Sequence, residues 1–346
     1  MKRRFQKDLL NWYDKHQRVL PWRTLIPNPY HTWVSEIMLQ QTTVATVIPY
    51  FNRFLERWPT LKDLANASLE EVLHLWQGLG YYSRARNLHR CAQQIMERFQ
   101  GNIPSSEDDL KSLPGIGDYT AAAIRSIAFQ EQATVMDGNI ERILARLFLV
   151  NTPLPEAKII LKKHARSLSP TDRPGDYAQA LMDIGATLCT PQTPQCPLCP
   201  LQSHCKAFGR KPELYPKRTP KKTLPRKQAL LFWIEDEKGH VWVEKRPEKG
   251  LLGGLMGFPT SSWEEKSSDI SPSLPFSGSW TPALKKVTHT FTHFHLTLSL
   301  MKVTVSLQKN LPLRGQWIAK NAFKNYAFPT LMKKVIQTMA PSRDGE

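Results

Sequence analysis

The most distinctive chemical pattern of the chain is a group of four cysteines within 17 residues. Gaps of six, two and five residues separate Cys189, Cys196, Cys199 and Cys205. Four thiolates on one compact loop can hold a [4Fe–4S] cluster or a zinc ion. The uneven spacing favours the cluster slightly, because zinc sites usually pair two short-spaced cysteine pairs across a longer insert. The pattern alone predicts a metal loop and leaves both metals open.

A second pattern, upstream of the cysteines, joins a glycine-rich turn to a later aspartate. The turn runs from Leu113 to Gly117 and contains Gly115, and Asp137 follows 20 residues after it. Glycines permit backbone turns that a side chain would block. Free N–H groups ahead of a helix bind anions such as DNA phosphates. Taken singly, the turn is also typical of an ordinary helix–helix connection, and Asp137 of a helix N-cap.

The hydrophobic pattern predicts two domains with a linker between them. In residues 1–208, apolar side chains recur at three- and four-residue spacing, which predicts roughly ten short helices. Residues 209–227 contain eight Lys or Arg and four Pro, which is typical of an extended, solvated linker. In residues 228–346 the period changes to two, and a closing helix is expected at Phe328–Met339. The predicted fold is therefore an all-α domain followed by an α+β domain.

The formal charge of +17 favours a polyanionic partner. Nucleic acid is the first candidate and an acidic membrane surface the second, while a solvated basic surface that binds nothing remains open. The N-terminus does not resemble a secretory signal, and no stretch approaches the ~18 apolar residues of a membrane helix. We therefore expect a soluble, intracellular protein. Our prediction is a cytoplasmic, DNA-associated monomer that does not bind a membrane.

The cysteine spacing resembles that of the endonuclease III and MutY DNA glycosylases, in which an iron–sulfur loop follows a helix–hairpin–helix domain. The resemblance implies one [4Fe–4S] cluster per chain on the four cysteines. It implies that Leu113, Gly115 and Gly117 form the DNA-gripping hairpin. It also implies that Asp137 faces the sugar of a flipped nucleotide, where a carboxylate stabilises or captures the oxocarbenium cation.

Three further segments resemble the MutY branch of this family. They are Leu20–Arg23, Trp33–Thr42 and Gly78–Arg84. The resemblance makes Glu36 the general acid that protonates adenine N7, which requires a raised pKa. In family members that nick DNA, a lysine that forms a Schiff base occupies the position of Tyr119. A phenol cannot form that imine, which predicts a monofunctional enzyme.

The same resemblance assigns supporting and DNA-contacting residues. Tyr119 and Asn139 correspond to groups that line the sugar and the base, and Arg23 lies in a segment that contacts DNA. Gln41 and Tyr81 correspond to wedge residues beside 8-oxoguanine, since a flipped base leaves a gap in the stack. From the sequence alone, Tyr81 is equally typical of a core aromatic.

The second domain resembles the Nudix-like domain of MutY enzymes but lacks the box of glutamates that binds magnesium in Nudix hydrolases. Pyrophosphatase activity is therefore not expected. The loop containing Phe291, Thr292 and His293 corresponds to the family loop that reads 8-oxoguanine, where the central residue is usually serine.

The leading hypothesis is an adenine DNA glycosylase that acts on duplexes pairing adenine with 8-oxoguanine or guanine. One alternative is an endonuclease III-like enzyme for oxidised pyrimidines. The other alternative is a non-catalytic iron–sulfur protein that binds DNA and needs neither Glu36 nor Asp137.

Overall fold

The computed structural model describes residues 2–220, 223–248, 250–265, 274–306, 311 and 313–340. The chain forms two compact units. The helical unit consists of Met1–Ala67 and Asn87–Lys221, and the mixed unit consists of Ser68–Arg86 and Lys222–Glu346.

Within residues 2–187 the structure has eleven α-helices, where the sequence predicts about ten. Their bounds are Lys2–His16 (α1), Pro29–Leu39 (α2), Val44–Arg57 (α3), Leu61–Asn66 (α4), Leu69–Leu75 (α5), Ser83–Phe99 (α6), Glu107–Lys111 (α7), Asp118–Ala128 (α8), Gly138–Leu147 (α9), Lys158–Leu168 (α10) and Pro174–Thr187 (α11).

Side-chain caps explain where several of these helices begin. Thr60 and Asp63 form a reciprocal capping box at the start of α4, which satisfies two backbone N–H groups that the first turn leaves unpaired. At α11, Pro174 occupies the first turn, where its missing N–H costs nothing. Gly175 follows because a Cβ at this position would lie 2.7 Å from the Ser126 carbonyl oxygen. These local rules fix the starting points of the helices.

One hydrophobic core joins α1 with α8, α9, α10 and α11 in the helical unit. It contains Phe5 and Leu9 of α1, Ile140 and Leu144 of α9, and Ile184 of α11, each at most 1% exposed. The cysteine-bearing segment packs on the edge of this core through half-buried Cys189, Cys199 and Cys205 and buried Leu201. The cysteine loop is therefore an extension of the helical core.

The mixed unit contains a β-sheet and a closing helix. Its elements in residues 226–339 are Arg226–Asp236 (β1), His240–Lys245 (β2), Met256–Gly257 (β3), Glu264–Glu265 (β4), Thr281–Pro282 (β5), Val287–Thr290 (β6), His295–Val305 (β7), Gln316–Ala319 (β8) and Thr330–Met339 (α12). The main strand order is β3-β2-β1-β7-β5, with β1 and β7 parallel and the other pairs antiparallel. The predicted closing helix is present, and the sheet of the predicted α+β domain is mixed.

Strand β1 is buried on both faces. Leu231 and Trp233 point into one hydrophobic cluster, whereas Phe232 and Ile234 point into another. Alternate side chains of a strand point to opposite faces, so the apolar run of β1 supplies two cores at once. This central strand pairs with β7 along eleven residues, from Arg226–His295 to Asp236–Val305.

The segment Ser68–Arg86 belongs to the mixed unit, although its helical periodicity places it with the first domain. The Arg86 guanidinium donates to the Gly253 carbonyl at 2.5 Å, and the Gln77 amide donates to the Tyr326 carbonyl at 3.0 Å. Such contacts between distant segments have no signature in a single sequence.

The segment 209–227, predicted as a solvated linker, is partly docked on the helical unit. The Leu154 N–H donates to the Lys217 carbonyl at 2.8 Å, and the Thr219 N–H donates to the Leu154 carbonyl at 3.3 Å. Tyr215 packs against the helical core. Lys221 and Lys222 of this segment lie outside the described residues. The domain boundaries at 208 and 228 remain predictions.

Among the helices that the structure describes, none is long and apolar enough to cross a membrane.

Replacing Gly115 with Ala should destabilise the helical unit. A Cβ at this position would lie 2.9 Å from the Asn87 Cβ, and the φ of +80° disfavours any side chain. We expect the free energy of unfolding to fall by about 1–3 kcal/mol in chemical denaturation.

Gly117→Ala is the matched control for that substitution. Its φ is −100°, and no heavy atom of the described residues lies within 4 Å of the added Cβ. The free energy of unfolding should change by less than about 1 kcal/mol, because alanine is a poorer N-cap than glycine but lowers the entropy of the unfolded chain. Equal destabilisation by both substitutions would contradict this account of the hairpin.

Candidate active site

Helix α2 carries Glu36 into the interior of the helical unit. The helix begins at Pro29, behind the N-cap Asn28, whose side-chain oxygen accepts the N–H of Tyr30 at 2.9 Å. Every residue from Thr32 to Met38 is buried, and Glu36 is 5% exposed. Burying an ionised carboxylate costs free energy unless hydrogen bonds or protonation compensate it. The partners of Glu36 therefore determine whether it is ionised or protonated.

Glu36 lines a small pocket, which we call the acid pocket. Apolar and polar side chains form its walls together, as is typical of sites that bind flat organic groups. The lining residues are Arg18, Leu20, Trp22, Arg23, Thr32, Ser35, Glu36, Leu39, Val44, Ile127, Gln179 and Met182.

The Tyr119 hydroxyl donates a hydrogen bond of 2.6 Å to Glu36 Oε2. Burial is the largest influence on Glu36 and raises the pKa of its carboxyl to about 7, while the Tyr119 hydrogen bond and Arg23 lower it and the charge of Asp137 raises it. Burial also raises the pKa of Tyr119 well above its ordinary value. Tyr119 therefore stays a neutral donor, and Glu36 can exchange a proton near neutral pH.

Asp137 is the second buried carboxylate of the site, and it caps helix α9. Its side chain accepts the N–H of Ile140 at 2.8 Å and the amide of Asn139 at 3.0 Å. Burial raises the pKa of Asp137 above its ordinary value, and these hydrogen bonds and the charge of Arg142 offset that rise only in part. The helix N-terminus also favours a negative charge. Asp137 is therefore both an N-cap and the better-stabilised anion of the two carboxylates.

Arg142 connects Asn139 with the start of the cysteine loop. Its guanidinium donates to Asn139 Oδ1 at 2.9 Å, to the Gly185 carbonyl at 2.6 Å and to the Cys189 carbonyl at 2.7 Å. A Cβ on Gly185 would lie 2.5 Å from the Asn139 Cβ, so only glycine lets α11 approach this closely. The sequence analysis missed Arg142 and Gly185. The three-residue spacing from Asn139 to Arg142 puts both side chains on one face of α9. Arg142 could therefore have been predicted from the sequence, whereas Gly185 could not.

The four cysteines line one cavity, together with Arg146. The Arg146 side chain is buried at 1% exposure, and its Nη1 lies 3.3 Å from Cys189 Sγ. The same guanidinium donates to the carbonyls of Thr190, Pro191 and Tyr215 at 2.7, 2.8 and 3.1 Å. In the described part of the chain, no group of three or more His, Cys, Asp or Glu side chains is arranged to hold a single metal ion.

The hairpin between α7 and α8 has the geometry that its glycines require. Leu113 is buried and anchors the turn, and Gly115 has the left-handed φ of +80°. Gly117 precedes α8 as its N-cap without a side-chain hydrogen bond. The first N–H groups of α8 therefore lie behind an uncrowded backbone, as an anion site needs.

Gln41 and Tyr81, the predicted wedge residues, share a left-handed backbone conformation. Their φ angles are 58° and 46°. Side chains other than glycine, and occasionally Asn or Asp, rarely adopt this region, and such strain concentrates at functional sites. Gln41 is exposed and Tyr81 is 42% exposed, so neither is a core residue. Arg23, also predicted to contact DNA, lines the acid pocket and donates to Asp183.

In the mixed unit, the predicted recognition residues form the tip of the β6–β7 hairpin. Thr290 pairs with His295, and the Phe291 N–H closes the turn on the Phe294 carbonyl at 2.9 Å. Thr292 and His293 are exposed at the tip, with Thr292 Oγ1 and His293 Nδ1 3.3 Å apart. Both side chains are therefore accessible to a partner.

A groove of about 980 Å³ in the helical unit runs past Tyr119 and Met136. Some of its charges pair, as Lys162 does with Asp118 at 3.2 Å. The cations that line the groove outnumber its acids, which favours a polyanion. They are Arg125, Lys158, Lys162, Lys163 and Arg166, against Glu107, Asp118 and Glu141.

Comparison with known proteins agrees with this division into two parts. Residues 34–170 match the model of the HhH-GPD superfamily base excision DNA repair proteins, and residues 230–338 match the NUDIX domain. The helical part is similar in structure to a thermostable thymine-DNA glycosylase, with a TM-score of 0.55 and 27% identity over 60% of this chain and 97% of that one. It is also similar to endonuclease III in a non-covalent DNA complex, with a TM-score of 0.52 and 25% identity over 61% of this chain and 97% of that one.

Full-length relatives carry the resemblance across both units. The adenine DNA glycosylase of Mus musculus is 35% identical over 99% of this chain and 79% of its own length. The adenine DNA glycosylase of Buchnera aphidicola subsp. Baizongia pistaciae is 34% identical over 96% of this chain and 95% of its own length. With its helix–hairpin–helix part and its Nudix-like part, this chain belongs to the adenine DNA glycosylase family.

Proposed function

We propose that this chain removes adenine from double-stranded DNA where adenine pairs with 8-oxoguanine or guanine, and that it leaves an abasic site uncut. The observation that carries the proposal is the buried Glu36 carboxyl, which accepts a hydrogen bond from the Tyr119 hydroxyl. Asp137 is a second buried carboxylate, and its surroundings favour the ionised form more than those of Glu36 do. Two carboxylates whose environments separate their proton affinities are typical of an acid and an anion that act together.

Glu36 is the general acid in this mechanism. Adenine is a poor leaving group until a ring nitrogen is protonated, and a flipped adenine in the acid pocket brings N7 to Glu36. A pKa of about 7 keeps much of Glu36 protonated at neutral pH. The Tyr119 hydroxyl donates a hydrogen bond to Glu36 and can therefore stabilise the carboxylate that remains after the proton has left.

Asp137 supports the sugar in the same step. As the base departs, positive charge develops on the sugar ring, and a fixed carboxylate stabilises or captures it. Asp137 is held in one orientation by Ile140 and Asn139. Tyr119 has no amine with which to form a Schiff base to the sugar, so strand cleavage through an imine is not part of the reaction.

The DNA duplex is held by features of both units. The hairpin at Gly115 and Gly117 supplies backbone N–H groups for a phosphate. Gln41 and Tyr81 act as wedges, because each is exposed in a conformation that the backbone adopts only under constraint. The β6–β7 tip reads 8-oxoguanine through Thr292, whose hydroxyl keeps the hydrogen-bonding group of serine.

The four cysteines hold a [4Fe–4S] cluster in this proposal. The donor set fits, because all four side chains line one cavity and Arg146 lies within hydrogen-bonding distance of the Cys189 sulfur. Hydrogen bonds of this kind tune and stabilise thiolate-bound clusters. When bound, the cluster would tie the loop together as a structural staple. Its basic neighbours Lys206, Arg210 and Lys211 would then meet phosphates.

Base release from a panel of duplexes tests the proposed function. Adenine opposite 8-oxoguanine or guanine should be released, while adenine opposite thymine and oxidised pyrimidines should be left intact. Glu36→Gln should bind the mismatch and lose release by at least roughly a thousandfold. Glu97→Gln, an exposed glutamate of α6, is the matched control and should behave like the wild type.

Three results would count against the proposal in that assay. Release of oxidised pyrimidines alone would favour the endonuclease III-like alternative. An adduct trapped by borohydride would refute the monofunctional reaction. DNA binding without any release would favour a non-catalytic protein.

The rate of base release should depend on pH through Glu36. Because burial raises the pKa of Glu36 to about 7, the reactive protonated form is lost as pH rises through that value. The single-turnover rate constant should fall about tenfold per pH unit on the alkaline side. At low pH it should fall again as Asp137 protonates, since Asp137 acts as the anion. A rate that is flat between pH 6 and 9 would remove Glu36 from its role.

Iron analysis tests the cluster. The purified chain should contain about four irons, with the visible absorption of an iron–sulfur protein. Cys199→Ser should lower iron content, stability and DNA affinity together. Cys91→Ser, a change at a buried core cysteine outside the loop, should retain the iron. Stoichiometric zinc in place of iron would contradict the cluster.

A further inference from the structure

Behind the acid pocket, Asp183 of α11 is a fully buried carboxylate that accepts four hydrogen bonds. The Arg18 backbone N–H and Nε donate to it at 3.1 and 2.7 Å, and Arg23 Nη1 and Nη2 donate to it at 2.7 and 2.8 Å. Its side chain is 0% exposed. A carboxylate this deep is stable only when such partners compensate its lost hydration.

Both arginines belong to the wall of the acid pocket, whereas Asp183 stands behind them. Arg18 and Arg23 line the pocket together with Glu36. The Arg23 side chain is 11% exposed, with its guanidinium 5.8 Å from the centre of the buried Tyr13 ring. The bidentate contact with Asp183 therefore fixes the guanidinium of Arg23 in place.

The charges of this cluster do not cancel. Two guanidinium groups share one carboxylate, so the cluster keeps a net charge of about +1 at the wall of the pocket that Glu36 also lines. Within the cluster, Arg23 lowers the pKa of Glu36. The other charged or titratable groups that act on Glu36 are Tyr119 from α8 and Asp137 from the start of α9. A positive charge near a carboxyl favours its ionised form. Without Asp183 the uncompensated charge would double, and Glu36 would release its proton more readily.

We infer that Asp183 is a positioning residue for adenine release: it fixes Arg18 and Arg23 at the wall of the acid pocket and offsets one of their two charges beside Glu36. This inference rests on the proposed role of Glu36 as the general acid. Asp183 does not line the pocket and acts through the arginines. The two arginines can then take part in base binding without removing the proton that the reaction needs.

The pH dependence of single-turnover adenine release separates this role from a merely structural one. Asp183→Asn keeps the shape of the side chain but leaves two cations, so the alkaline limb should move to lower pH by about one unit. Arg18→Met removes one cation, so its limb should move to higher pH. The matched control is Asp176→Asn on the same helix, which breaks a half-buried pair with Arg173 away from the acid pocket and should leave the limb unchanged.

Opposite shifts in the two variants would support the inference. Equal losses of rate at every pH, with unshifted limbs, would overturn it, because a structural defect scales the rate without moving the midpoint. If Asp183→Asn does not fold, Arg18→Met decides the question, since Arg18 is 26% exposed and its loss leaves the Arg23–Asp183 pair intact. A wild-type profile without an alkaline limb would instead refute the role of Glu36, and with it the proposed mechanism.

Discussion

The proposed chemistry depends on a single hydrogen bond, from the Tyr119 hydroxyl to the buried Glu36 carboxyl. Burial alone would hold Glu36 protonated too firmly to act, because the ionised form has no solvent around it. A neutral donor at 2.6 Å lowers the energy of that ionised form without adding a charge. In the proposed mechanism, the pair therefore keeps a proton available in a buried site, which neither a solvated glutamate nor a fully isolated one could do.

Asp137 is proposed to act as an anion, and its contacts differ from those of Glu36. It is also buried, but it sits at the N-terminus of α9 and accepts hydrogen bonds from Ile140 and Asn139. The helix end and these donors favour its anion. Farther along the same helix, Arg142 and Arg146 reach the backbone carbonyls of the cysteine loop. One helix thus orients the carboxylate at its start and anchors the cysteine loop along its length.

Much of this arrangement has a trace in the sequence, and the rest is absent for physical reasons. Glu36 is the only charge in a strongly apolar stretch, which indicates a buried acid, and Asp183 carries the same signal in α11. Arg142 and Arg146 follow Asp137 at helical spacing, so their common face could have been predicted. The partner of Glu36 could not be, because Tyr119 lies 83 residues away and only the packing of α2 on α8 brings them together. Left-handed backbone at residues other than glycine, as at Gln41 and Tyr81, has no sequence signature either.

The packing of α2 on α8 also places three proposed functional features close to one pair of helices. These features are the acid Glu36, the wedge Gln41 and the hairpin that ends at Gly117. Besides the bond to Glu36, α8 holds the end of α2 through Thr120, which lies 3.3 Å from the Gln40 amide. Gln41 follows directly in its left-handed conformation, and Gly117 directly precedes α8. The proposed phosphate site at the hairpin, the proposed wedge Gln41 and the proposed acid Glu36 therefore lie on or beside one pair of helices. If these residues act as proposed, their spacing is set before DNA binds, and little of the binding free energy is lost in assembling the site.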